Sequence, residues 1–214
     1  MRIRIGTVAM FAAGAVLAAL PAGAGAAVTG LTFGSTLAAP PTPFEPPPTC
    51  DSSQTNDQDT GPCTRVAIGY AAGGAVKNRV AAPISGTIKR IRIRAGTPGS
   101  IRVTLVRVRN LDREGGRAEG RAVSRGRLLR VMGPQAIKPP IETFLVNMKV
   151  HKGDFLALEG RSTSALSCQG GDSEQLLYQP PLAAFGGWDT SETFDDCTLL
   201  VQATVYRPKR ARRG

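Results

Sequence analysis

Arginine stands out in this sequence by number and spacing. Arg90, Arg92 and Arg94 recur at every second residue, so on a β-strand their guanidinium groups leave the same sheet face. Arg102 joins them if the following strand pairs alongside. A second basic group closes the chain, where Arg207, Lys209, Arg210, Arg212 and Arg213 crowd the last eight residues. Guanidinium forks match carboxylate and phosphate oxygens, so a row of them suits a polyanion such as an anionic wall polymer or polysaccharide. The charge is polarised along the chain. Residues 77–130 carry 15 cations and three acids, whereas residues 154–196 carry eight acids and the single cation Arg161. Two plainer accounts compete with a polyanion site. The arginines form a solvated face that reflects composition alone, or the basic and acidic segments lie together and neutralise each other.

Tyr178 and Trp188 are candidates for a second chemistry, because aromatic rings on loops of an exported domain can stack on sugar rings. The other reading of Trp188, set between Gly186, Gly187 and Asp189, is an anchor that packs its loop onto the body.

Enzyme signatures are sparse. Gly160-Arg161-Ser162-Thr163-Ser164 ends in serine where a nucleophile elbow needs glycine. There is no Walker loop and no Gly-x-Gly-x-x-Gly. Any Ser/His/Asp arrangement must use His151, the only histidine, which sits in an expected turn beside Asp154. That turn gives Asp154 a plainer task, accepting backbone hydrogen bonds. Asp154, Glu159, Asp172 and Glu174 are the carboxylates available to a glycoside hydrolase, the alternative enzymatic reading.

No catalytic residue, cofactor or metal is assigned. Without Cys-x-x-Cys, and with one histidine, no transition-metal site is expected. Asp57-Gln58-Asp59 resembles the start of a calcium loop, but Ile68 stands where the closing glutamate belongs. Asp189, Glu192, Asp195 and Asp196 form a further acidic cluster. Nucleic acid is not an expected partner, because the basic segments lack interleaved aromatics for base stacking.

The elements that must position these residues follow from the rest of the chain. Arg2 and Arg4, an apolar run over residues 5–20 and the small residues 21–27 read as a signal peptide over 1–26, with cleavage after Ala24, Ala26 or Ala27. The apolar run is short for a membrane span and no later stretch is apolar enough, so the mature protein is expected outside the cell or at its envelope, without a transmembrane segment. In an exported chain, Cys50, Cys63, Cys168 and Cys197 read as two disulfides, for which three pairings exist. Cys50–Cys63 and Cys168–Cys197 are favoured because each closes a short loop.

Residues 27–62 hold six prolines between Pro40 and Pro48 and read as a linker or surface segment. From residue 63 to 206, short apolar runs alternate with Gly and Pro turns. Ile91 and Ile93 oppose the arginines on residues 87–94. On residues 101–109 the apolar parity changes after Leu105, which requires a bulge there or cover on both faces. Residues 110–127, rich in charge and glycine, read as a mobile hairpin loop. Phe144, Val146, Met148 and Val150 alternate inward, as do Leu199, Val201, Ala203 and Val205. With 42% hydrophobic residues a core is affordable, and 41 Gly and Pro residues argue against long helices. The prediction is an all-β antiparallel sandwich, jelly-roll-like, of roughly seven to nine short strands, followed by a basic flexible tail over 207–214.

Two motifs carry a resemblance over roughly residues 60–206. Pro83-Ile84-Ser85-Gly86 opens an Ile-rich strand ending at Gly96, and Val150-His151-Lys152-Gly153-Asp154 precedes an apolar strand at Phe155. In these the chain resembles secreted β-sandwich proteins of high-GC bacteria. The resemblance implies export and a jelly-roll-like fold, and it carries no catalytic or binding residue. The expected function is a non-enzymatic binding or structural module at the cell envelope.

Overall fold

The computed structural model describes residues 30–41, 62–69, 80–112, 117–133, 141–160, 165–167, 175–191, 193–195 and 197–207. These residues form thirteen strands and no helix: β1 Leu31–Gly34, β2 Cys63–Ala67, β3 Gly86–Arg94, β4 Gly99–Asp112, β5 Arg117–Val131, β6 Ile141–Val150, β7 Phe155–Gly160, β8 Leu166–Ser167, β9 Gln175–Tyr178, β10 Asp189–Thr190, β11 Thr193–Asp195, β12 Thr198–Leu199 and β13 Val201–Tyr206. The signal segment, Cys50, Cys168 and the tail beyond Arg207 lie outside the described residues.

The strands form antiparallel sheets: one of four strands in the order β1-β13-β3-β6, one of seven in the order β10-β5-β4-β7-β2-β9-β11, and the small pair β12-β8. The two large sheets share the main core. Ile88, Ile91 and Ile93 of β3, with Val201, Ala203 and Val205 of β13, pack in one cluster with Ile101, Val103 and Leu105 of β4 and with Leu156 and Leu158 of β7. Ile88 and Ile91 both point inward, although three residues apart, because the register of β3 on β6 shifts between Ile88 and Arg90.

The seven-stranded sheet nearly closes into a barrel. Its edge strands β10 and β11 are separated by only two residues, yet β10 pairs with β5 and β11 with β9. Tyr178 on β9 confirms the curl, since its hydroxyl donates to the Ala118 carbonyl on β5 at 3.4 Å. Four strand spacings separate these strands, about 19 Å in a flat sheet, which no tyrosine spans. The barrel interior holds a second cluster that includes Val66, Val106, Ala122, Ala157, Leu176, Tyr178 and Leu182. Both explanations for the parity change on β4 therefore apply. The β4–β5 register shifts between Leu105 and Val106, and Val106 enters this second core while Leu105 stays in the first.

Three expectations are corrected. Residues 31–34 fall in the segment read as a linker, but they form β1, paired with β13, and Phe33 and Leu37 are buried in the main core. The mobile loop over 110–127 is largely strand: β4 runs to Asp112 and β5 starts at Arg117. The strand count exceeds nine. Of the cysteines, Cys63 and Cys197 are disulfide-bonded, though not to each other.

Candidate functional site: an open basic face on the four-stranded sheet

Alternation on β3 turns its isoleucines into the core and sends Arg90 and Arg92 out. The register places Arg92 between Thr143 of β6 and Gln202 of β13, and Arg90 between Leu145 and Thr204. Arg92 Nη1 donates to Gln202 Oε1 at 3.1 Å, a neutral partner that fixes the guanidinium without neutralising it. Lys89, at the bulge, donates to Asn147 Oδ1 at 2.5 Å. Lys149, exposed on β6, shares the outward parity of Leu145 and Asn147. Lys89, Arg90, Arg92 and Lys149 thus stand on one open face, and none of them makes an ion pair among the described residues. Arg90 and Arg92 are about 7 Å apart, as alternate residues of a strand must be. Their repulsion in water is only about 0.6 kcal/mol, so the face is tolerable unoccupied.

Four arginines of the seven-stranded sheet are in a different state. Glu159, nearly buried on β7, accepts from Arg102 Nη1 at 2.9 Å and from Arg125 Nε at 2.8 Å, with Arg125 Nη2 adding a second bond. Asp154, fully buried, accepts from Arg107 Nε and Nη2 at 3.0 and 2.8 Å through Oδ1. Arg109 pairs with Glu119. Three acids therefore absorb four arginines.

Two of the expected basic-face residues lie elsewhere. Arg102 is not beside Arg90 and Arg92, because β3 and β4 belong to different sheets. Arg94 is 5% exposed, and its Nη1 contacts the carbonyls of Leu37, Ala38 and Ala39 at 3.2, 3.0 and 2.9 Å. It fastens the segment after β1 to the sheet and is closed to a ligand. Arg207 is exposed just after β13. Lys209, Arg210, Arg212 and Arg213 lie outside the described residues.

One member of the sugar-stacking pair is closed off. Tyr178 is 1% exposed inside the barrel and has no free ring face to offer. Burial, and then the nearby Asp189 carboxylate, push its phenol well above the usual range. Trp188 is half-buried, with the Arg109 guanidinium carbon 4.0 Å and that of Arg121 5.2 Å from its ring centroid. Phe185, not one of that pair, is the exposed aromatic of this loop.

Asp154 behaves as its turn predicts, accepting the His151 amide at 2.8 Å through Oδ2. The His151 Nδ1 lies 3.6 Å from the same oxygen, beyond hydrogen-bonding distance. Among the described residues no cluster of His, Cys, Asp and Glu could hold a metal, and no helix is long and apolar enough to cross a membrane. No protein family matches the chain, and no curated protein or solved structure is significantly similar to it.

Proposed function

We propose that the protein is an exported, non-enzymatic jelly-roll module that binds an anionic polysaccharide or wall polymer at the cell envelope through the outward face of its four-stranded sheet. The jelly-roll reading draws support from strand order. β1, β3, β6 and β13 of one sheet interleave in sequence with β2, β4, β5 and β7 of the other, as two Greek keys do.

The binding reading rests on the sorting of charge. On the seven-stranded sheet Arg102, Arg107, Arg109 and Arg125 each meet a carboxylate, whereas Lys89, Arg90, Arg92 and Lys149 share an open face without one among the described residues. Mutual neutralisation accounts for the first group and not for the second. The hydrolase alternative loses two of its candidate carboxylates, because Asp154 and Glu159 are each engaged by arginine.

The test is co-sedimentation of mature protein with isolated envelopes and with an acidic polysaccharide at low and high salt. The bound fraction is expected to fall steeply with salt, as exposed charges do beyond a Debye length of ~8 Å at physiological ionic strength. Replacing Arg90 and Arg92 by serine together is expected to weaken binding while the protein stays folded. Deleting residues 207–214 separates the tail's contribution from that of the sheet. Binding by both variants equal to wild type at low salt would show that the charge is compositional.

A further inference from the structure

A second site lies on the other sheet, where β4, β5, the β6–β7 turn and the loop before β10 meet. An open groove of about 310 Å³ is lined by Arg107, Arg121, Ala122, Val123, His151 and Phe185. Its volume is at the small end for a ligand site, the scale of one sugar ring.

Arg107 and Arg121 face each other directly across the β4–β5 ladder, a like-charge pair that is destabilising when nothing relieves it. Each is held by something different. Asp154 fixes and neutralises Arg107 through Nε and Nη2, while Nη1 makes no hydrogen bond among the described residues. Arg121 has the Trp188 ring and, among the described residues, no carboxylate. The groove therefore keeps one net fixed positive charge, which matches a carboxylate better than a dianionic phosphate.

Phe185 supplies the apolar wall. It is 77% exposed and sits at φ 57°, a left-handed backbone that costs a bulky residue about 1–2 kcal/mol. The loop is nevertheless fixed, by a bridge from Ala184 to Ala122 and a hydrogen bond from Gly186 N to the Ala183 carbonyl. A strained, exposed and anchored phenyl ring beside an uncompensated guanidinium is a recognition surface for a molecule with an anionic group and an apolar face.

We propose that this groove binds a single uronic-acid unit, its carboxylate on Arg121 with His151 at the rim and its pyranose face on the Phe185 ring. This site does not depend on the basic face of the other sheet. Trp188 is the only tryptophan in the chain, so intrinsic fluorescence reports on this site alone.

The experiment titrates mature protein with sodium glucuronate, glucose, sodium acetate and inorganic phosphate, followed by Trp188 emission and by calorimetry. Glucuronate is expected to saturate, with glucose, acetate and phosphate each at least tenfold weaker. Arg121→Gln and Phe185→Ala are each expected to weaken glucuronate at least tenfold while keeping the wild-type melting temperature. The Arg90/Arg92 double serine variant is expected to bind glucuronate like wild type. Absence of saturable heat and emission change, equal affinity for any of the three other probes, or an unaffected Arg121→Gln variant would overturn the proposal.

Discussion

The Tyr178 hydroxyl oxygen lies 2.5 Å from the point where a Cβ on Gly120 would stand. The two residues belong to β9 and β5, on opposite walls of the curled sheet, and the phenol fills the space that the missing side chain leaves. Gly120→Ala is therefore expected to force Tyr178 out of place and to destabilise the fold by about 1–3 kcal/mol through overpacking. Thermal or urea denaturation measures this, and an alanine variant as stable as wild type would contradict the close approach of β9 to β5.

The same burial gives a spectroscopic prediction. Because its phenol is raised, Tyr178 stays protonated in the folded protein at a pH where an exposed tyrosine ionises. In the unfolded chain it ionises near its ordinary value of about 10, so the stability tied to it is complete below that pH and declines above it. Among the three tyrosines, phenolate absorbance is expected to show one that stays silent until alkaline unfolding. Tyr178→Phe is expected to remove that late step.

Arg94 and its neighbours on β3 are expected to separate stability from binding. Arg94→Ser removes the charged donor shared by three backbone carbonyls and is expected to cost about 2 kcal/mol. Arg90→Ser, at an exposed position, and Arg92→Ser, at a half-buried one with a single bond to a neutral side chain, are expected to cost less, under about 1 kcal/mol each. Chemical denaturation of the three single variants checks the ranking.

The short-loop pairing assigns Cys63 and Cys197, both disulfide-bonded, to two separate bridges. Non-reducing peptide mapping is expected to recover Cys168–Cys197 and Cys50–Cys63, and a Cys63–Cys168 peptide would reject that pairing. In the chain-entropy description a loop of this length is worth roughly 3–4 kcal/mol, so reduction should lower the melting temperature clearly.

The strands that could be read from sequence are those with one wet face. On β3, β6 and β13 the inward residues are Ile, Val, Phe, Met and Ala and the outward ones mostly polar, and the period of two is plain. The first part of β5 is hidden because its buried positions are small, whereas residues 128–132 read as strand. Ala118, Gly120 and Ala122 alternate with Arg117, Glu119 and Arg121, a period of two that glycine and charge disguise as a loop. Gly126 is there for a similar reason, since a Cβ would stand 2.9 Å from the Val103 carbonyl oxygen.

The basic face was half legible. Arg90 and Arg92 follow from parity, but Arg94 shares their parity and is claimed by backbone carbonyls that come from more than fifty residues away. Which arginines meet a carboxylate depends on strand neighbours that local spacing does not encode. Phe185 was missed because no sequence pattern marks an aromatic held outward by a left-handed backbone.

The joining of the first strand to the last has a consequence for how the molecule is made. Among the described strands β1 pairs only with β13, and Gln202 Nε2 reaches back 167 residues to the Ser35 carbonyl at 2.9 Å. A chain that emerges N-terminus first, from a ribosome or through a membrane pore, carries β1 unmatched until residues 201–206 are out. Contacts so distant in sequence form slowly and only after long loops close. The four-stranded sheet thus closes its β1 edge late, because β1 finds its strand partner only after Val201–Tyr206 has emerged.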